Sequence, residues 1–330
     1  MRTKATGFYL AGFADNRKDK KTIGQLVPFS PDALQKSPAP VPADLDGGIQ
    51  VLEGYLKQNA PFGKDLHPVI IKVSALNVNE IPISGSGVDG KVDLVLSFHL
   101  KTGDDLSVKL VDYKGSSHYT RKFSQPDAAE PVLRNVLENA IVYFNNWLTT
   151  QADTNPLLAK RVKLLFTDYK DKVENDTIYY DKLRPLKWDD FQDKLRPGNY
   201  SAQVMPGIGY TEKTWIEKGI IYVQIAVKTF VPKSTCSVKP GYQDSYNLNH
   251  EQRHFDLEKI ISERFKKKLL AAPLPVMNYD GTINVEYLET LHEAYLLQQK
   301  YDNETRHGAD GMAQEKWNKY IEEELIKTAG

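Results

Sequence analysis

The sequence lacks the features that mark several specialised classes of protein. It contains a single cysteine, Cys236, which excludes a disulfide within the chain. No run approaches the roughly 20 apolar residues of a membrane-spanning helix, so we expect no transmembrane segment. Lysine plus arginine and aspartate plus glutamate number 43 each, so the formal net charge is zero. Because nucleic-acid-binding proteins usually carry a basic excess, we expect no nucleic-acid partner.

The N-terminal residues leave the cellular location open. The apolar patch at residues 7–14 is too short for the core of a signal peptide. The sequence is therefore compatible with a cytoplasmic protein and with an exported protein whose signal has been removed.

The length and the residue pattern predict two domains of α+β class. A chain of 330 residues is long enough for two hydrophobic cores. The polar segment QADTNP, residues 151–156, predicts the boundary between residues 1–155 and residues 156–330. We predict a mixed α/β sandwich for the first domain, because alternating apolar residues at 92–100 and 106–110 indicate a hairpin and a helical period follows at 132–148. Asp127 and Pro131 are start signals for that helix.

The C-terminal half changes from strand patterns to helix patterns near residue 244. Strands are predicted at residues 162–166, 177–180, 200–215 and 219–231, and helices at 245–271, 284–303 and 310–327.

The first of these helices contains the pattern H-E-x-x-H in His250, Glu251 and His254. Residues four apart on a helix lie about 6 Å apart along the axis and on the same face, so both imidazoles can bind one Zn²⁺. Glu251 lies beside the metal and is predicted to act as general base toward water activated by zinc. The alternative is a coincidental pair of histidines on a solvated helix face.

A catalytic zinc also needs a third protein ligand, and the residues alone leave its identity open. Glu258 continues the spacing but lies about 12 Å along the axis from His250, too far to share one ion with it. The remaining candidates are Glu286, Glu289, His292, Glu293, Glu304 and His307. His292 has the pattern of a half-buried structural residue, whereas Gly308 permits a turn that could direct His307 toward the first helix.

Residues from about 180 to the C-terminus resemble an uncharacterised bacterial family described as secreted zinc-dependent proteases. The shared pieces are the segment 186–191 (LKWDDF), the segment 250–254 (HEQRH), Tyr301-Asp302 with Thr305 and His307-Gly308, and Gln314 with Trp317. The resemblance implies a zincin-like metallopeptidase fold and export to the bacterial envelope.

The same resemblance assigns roles near the end of the second helix. It favours His307 as the third zinc ligand. It also implies that Asp302 and Thr305 orient an imidazole through its far nitrogen. Tyr301 could donate a hydrogen bond to a developing oxyanion, but packing at the helix end is the role that we favour for it.

The first domain lies outside this resemblance. Its segment 12–17 (GFADNR) and the α/β pattern after it resemble small bacterial envelope lipoprotein domains, which implies a binding or docking module for an envelope partner.

Two functions follow from these features. The first is a zinc-dependent peptidase acting on a peptide or protein substrate, with the strand at 219–231 as an edge strand that pairs with the substrate. The second is a non-catalytic envelope protein with a structural or vestigial zincin site, which a fourth protein ligand would support.

Overall fold

The computed structural model describes residues 5–29, 38–60, 62–63, 66–84, 87–125, 128–169, 174–193 and 200–328. The chain mixes helices and strands and separates into two compact units, Met1–Leu158 and Ala159–Gly330. The division falls three residues beyond the boundary expected from the polar segment. None of the described helices has the length and apolar character needed to cross a bilayer.

The first unit is built on a six-stranded sheet with two helices. Its elements are β1 (Phe8–Asp15), β2 (Gly24–Leu26), β3 (Val41–Ala43), α1 (Gln50–Asn59), β4 (His67–Ile83), β5 (Gly87–Lys101), β6 (Ser107–Lys122) and α2 (Ala129–Gln151). The strand order is β3-β2-β4-β5-β6, and β1 pairs with β4 in parallel.

One apolar core joins this sheet to its helices. Strands β4, β5 and β6 form an antiparallel meander, and alternate residues of β5 are buried. Phe98 of β5 stacks on Phe144 of α2 with ring centroids 4.1 Å apart. Strand β6 extends well past the predicted 106–110, because its later residues are polar at an edge where no apolar alternation is required. Asp127 lies outside the described residues.

The second unit contains a smaller sheet and three long helices. Its elements are β7 (Arg161–Asp168), β8 (Thr177–Tyr179), β9 (Ala202–Gln203), β10 (Gly207–Glu217), β11 (Ile220–Pro232), β12 (Ser237–Val238), α3 (Ser245–Ala271), α4 (Tyr279–Thr305) and α5 (Gly311–Thr328). Helix α3 has the bounds that the sequence predicts, and α4 begins five residues earlier than expected.

Strand β11 is an interior strand, so its prediction as an edge strand is wrong. It pairs with β10 in an antiparallel hairpin on one side, and with β7 in parallel and β8 antiparallel on the other. Its alternating burial is consistent with this central place. The predicted strand at 200–215 is divided into β9 and β10 around Pro206, which has no N–H to donate.

Helix α3 lies in the centre of the second unit and carries the H-E-x-x-H pattern. Its start is fixed by Asp244, whose side chain accepts a hydrogen bond of 2.8 Å from the N–H of Asn247. Phe265 and Ile261 anchor its later turns in the core under β11. The helix packs against α4 and α5, which brings the ends of three helices to one region.

Candidate metal centre

The two histidines of α3 both direct their Nε2 atom toward one oxygen of Asp302. His250 and His254 are one turn apart, and their side chains are only 8% and 12% exposed. Nε2 of His250 lies 3.4 Å from Oδ1 of Asp302, and Nε2 of His254 lies 3.1 Å from the same oxygen. The three ligand atoms lie within 4.8 Å of one another.

Asp302 enters this group from the last turns of α4. Its Oδ1 is buried and is one of few described buried side-chain atoms without a hydrogen-bond partner. A buried carboxylate oxygen without a donor is costly. Either a proton on the facing Nε2 of His254 or a cation bound between the three atoms removes this cost. The resemblance had assigned Asp302 to the far nitrogen of an imidazole. The structure places it on the Nε2 side instead.

The donor set fits zinc. Two imidazole nitrogens and a carboxylate oxygen are common zinc ligands, and ligand atoms at 2.0–2.2 Å in a tetrahedron are about 3.3 Å from each other. The distances of 3.1 and 3.4 Å from Asp302 to the two histidines agree with that spacing.

Glu251 lies between the two histidines in sequence and lines one cavity with them and with Asp302. The cavity has a volume of about 330 Å³, and residues 200–206 form its other wall. The Glu251 side chain is almost fully buried, and the main chain at Val204 hydrogen bonds to it. Burial raises the pKa of Glu251, and the neighbouring imidazoles offset part of this effect. A carboxylate with a raised pKa is a better proton acceptor.

The charged groups of the cavity shift each other's pKa in the directions expected of close opposite charges. Burial opposes ionisation of Asp302, but the His250 and His254 imidazoles outweigh it and lower the pKa of Asp302. Burial also opposes protonation of His254, yet the carboxylates of Asp302 and Glu251 raise its pKa. The Asp302 carboxylate and the His254 imidazole therefore stabilise each other's charged forms.

His307 lies next to Asp302 on the solvent-exposed side of the site. Arg306, His307 and Gly308 all have positive φ, and this turn reverses the chain after α4. Nδ1 of His307 lies 3.4 Å from Oδ1 of Asp302, but the side chain is 44% exposed. Among the described residues, His307 is not part of the compact ligand group. The geometry therefore favours Asp302 over His307 as the third ligand.

Tyr301 and Thr305 lie behind the site. The Tyr301 hydroxyl is fully buried and 2.9 Å from Nδ1 of His250, on the side of the ring away from Asp302. It therefore lies behind His250 and outside the lining of the cavity, which fits the packing role at the helix end. The Thr305 hydroxyl donates to the carbonyl of Tyr301 and accepts from the N–H of Gly308. Thr305 thus stabilises the turn that follows α4.

The other candidate ligands have different surroundings. His292 is exposed, whereas its pattern predicted a half-buried residue. Glu286 and Glu289 lie on the same helix, α4. Glu293 pairs with Arg264 and Lys268.

Two glutamines contact the histidines in a way that the sequence did not predict. Side-chain oxygens of Gln298 and Gln314 lie 2.6 Å and 2.9 Å from Nδ1 of His254 and His250. Glu258, too far along the helix to share an ion with His250, is buried and accepts a hydrogen bond from Gln298. Gln298 lies four residues before Asp302, and that spacing could have indicated a shared helix face.

The single cysteine does not provide an alternative nucleophile. Burial raises the pKa of the Cys236 thiol to about 12, so the reactive thiolate is scarce at neutral pH. The thiol donates to the carbonyl of Pro232 in the core.

Comparisons with known proteins assign no family to the chain. No family model matches it, and no curated protein matches it. A crystal structure of a minor lipoprotein from Acinetobacter baumannii aligns with 44% of this chain and 91% of its own, with 11% identity and a TM-score of 0.20. A score this low carries no argument about fold or function.

Proposed function

We propose that the second unit is a zincin-like, zinc-dependent peptidase, with His250, His254 and Asp302 as metal ligands. The observation that carries the proposal is the buried Asp302 oxygen without a hydrogen bond, 3.1 and 3.4 Å from two histidine nitrogens. Two imidazoles and one carboxylate would hold the metal with three protein ligands, the number that is typical of catalytic zinc sites.

Glu251 supplies the proton transfer in this mechanism. When bound, zinc supplies Lewis-acid polarisation of the scissile carbonyl and increases the acidity of water. Glu251 accepts a proton from the attacking water and delivers it to the leaving amine. Its burial keeps the carboxylate poorly solvated, which favours the proton-accepting role.

The substrate would lie along residues 200–206. This segment lines the cavity, and its short strand β9 pairs with β12 on one edge. Within the described residues β12 is the strand partner of β9, so an extended peptide could pair with the opposite edge. We therefore expect the substrate to contact this opposite edge of β9, and not β11, which is an interior strand.

The test combines metal analysis with a matched pair of variants. Purified protein should contain one zinc per chain, and His254→Ala should lose it. Glu251→Gln should keep the zinc and lose peptide hydrolysis, whereas the exposed control Glu315→Gln should keep both. Hydrolysis by Glu251→Gln at the wild-type rate, or purified wild-type protein without zinc, would disprove the proposal.

A second candidate is a non-catalytic protein with a closed structural site. The position of His307, 3.4 Å from the Asp302 oxygen, favours it, because a fourth protein ligand would exclude water. Zinc bound with no hydrolysis by the wild-type protein, and lost in His307→Ala, would support this candidate.

The resemblance also leads us to propose a location in the bacterial envelope, with the first unit docking to an envelope partner. Fractionation of cells that produce the full natural protein tests this. Recovery of the protein only with cytoplasmic markers would contradict it.

A further inference from the structure

The two site histidines share an arrangement at the nitrogen that faces away from Asp302. Nδ1 of His254 lies 2.6 Å from Oε1 of Gln298, and Nδ1 of His250 lies 2.9 Å from Oε1 of Gln314. An amide oxygen can only accept, so each Nδ1 donates to its glutamine. The Tyr301 hydroxyl also lies 2.9 Å from Nδ1 of His250, but its own proton has the main-chain carbonyl of His250 at 3.2 Å as acceptor. With the proton on Nδ1, the lone pair of each neutral imidazole is at Nε2, which faces Asp302.

Gln298 is itself held at its other end. Its Nε2 donates to the main-chain carbonyl of His254 at 2.9 Å and to Oε2 of Glu258 at 3.0 Å. His254 and Glu258 are one turn apart on α3, so one side chain of α4 spans that turn. Rotation of the amide would place its NH₂ group against Nδ1 and lose these bonds. The buried carboxyl of Glu258 therefore has a function in fixing Gln298.

Gln314 is fixed in the same manner from α5. Its Nε2 donates to the Tyr301 hydroxyl at 2.8 Å and to Oδ1 of Asn318 at 3.0 Å. The residue is 1% exposed, so water does not compete for its amide. The two glutamines come from different helices but place the same group against the same ring atom.

We infer that Gln298 and Gln314 are positioning residues that hold both imidazoles with the proton on Nδ1 and the metal-binding lone pair on Nε2. The effect on metal affinity rests on the proposed zinc site, whereas the effect on the tautomer does not. Neutral amides perform this role without adding carboxylates beside Asp302 and Glu251. Residues that orient metal-binding histidines typically contribute about 10–100-fold to affinity.

The first test reads the tautomer directly in the metal-free full chain. Long-range proton–nitrogen NMR in alkaline buffer should show His250 and His254 protonated at Nδ1. In Gln298→Leu, His254 should lose this preference while His250 keeps it. The control Gln299→Leu removes the neighbouring amide, which bonds Tyr295 and not a histidine, and should change neither. Protonation of His254 at Nε2 in the wild-type protein overturns the inference.

The second test measures affinity for Zn²⁺ by competition with a chelator. Gln298→Leu and Gln314→Leu should each bind Zn²⁺ about 10–100-fold more weakly, and Gln299→Leu should bind as the wild type does. Equal affinity of Gln298→Leu and Gln299→Leu overturns the inference. If the wild-type chain binds no Zn²⁺, the proposed function fails, and the tautomer measurement still decides the role of the glutamines. If Gln314→Leu does not fold, the tautomer of His250 in the wild-type protein still tests the role of Gln314.

Discussion

Gly308 lies directly against the ring of His250. A side-chain carbon at Gly308 would be 3.3 Å from Cγ and 3.4 Å from Nδ1 of His250. Its φ of 81° is also in the left-handed region that favours glycine. The turn after α4 therefore approaches the first histidine of the site so closely that an added side chain would press on its ring.

Gly308→Ala should weaken metal binding as well as stability. The strained backbone should cost about 1–2 kcal/mol of unfolding free energy, and the added methyl should displace His250. Gly241→Ala is the matched control, because Gly241 has a φ of 89° and a side-chain carbon added there has no atom of the described residues around it within 4 Å. Urea unfolding should show similar losses for both variants, and only Gly308→Ala should reduce zinc affinity. Equal zinc affinity in the two variants would contradict the proposed contact.

Paired substitutions should decide which residue is the third ligand. Asp302→Ala removes the central oxygen of the group and should lower zinc affinity by more than about 100-fold, beyond the loss typical of residues that only orient a ligand. His307→Ala should have the smaller effect, since that side chain is 44% exposed. Isothermal titration with Zn²⁺ measures both. A larger loss for His307→Ala would restore His307 as the ligand.

Tyr301→Phe should destabilise the second unit without changing the cavity wall. The variant leaves the amide of Gln314 and Nδ1 of His250 with one partner fewer in the core, at a cost of about 1–3 kcal/mol. Tyr295→Phe on the same helix removes an exposed hydroxyl and should change stability by less than about 0.5 kcal/mol. Comparable losses in chemical denaturation would refute the assigned role of Tyr301.

The first unit should lose stability in acid through Glu80. Burial opposes ionisation of this carboxyl, but Arg121, Tyr119 and the N–H of Val27 outweigh it and lower its pKa. A lowered pKa in the folded state stabilises the protein above the unfolded pKa of about 4.3, and this contribution is lost as pH falls through the folded pKa. The free energy of unfolding of the first unit, measured by urea denaturation, should therefore decrease as the pH falls below about 4.3.

A variant isolates this contribution. Glu80→Gln leaves Arg121 buried without its anionic partner and should cost about 3–5 kcal/mol near neutral pH. The difference from wild type should shrink as the pH falls below about 4.3. The control Glu130→Gln removes an exposed ion pair and should show little difference at any pH. A difference for Glu80→Gln that is independent of pH would contradict the assignment.

The sequence by itself determined the elements with strong local signals. The helical pattern of residues 245–271 predicts α3 with its observed bounds, and the spacing of His250 and His254 places both imidazoles on one face. Helical spacing is a local property, so no other part of the chain was needed for either conclusion.

Only the tertiary structure decided which groups from distant segments meet at those imidazoles. Asp302, Gln298 and Gln314 lie 44 or more residues from the histidine that each one contacts, and their positions depend on how α4 and α5 pack on α3. The central place of β11 likewise depends on its pairing with β7, which begins 59 residues earlier in the chain. Sequence periodicity specifies which face of an element is buried, but the partner across that face is set by packing of the whole unit.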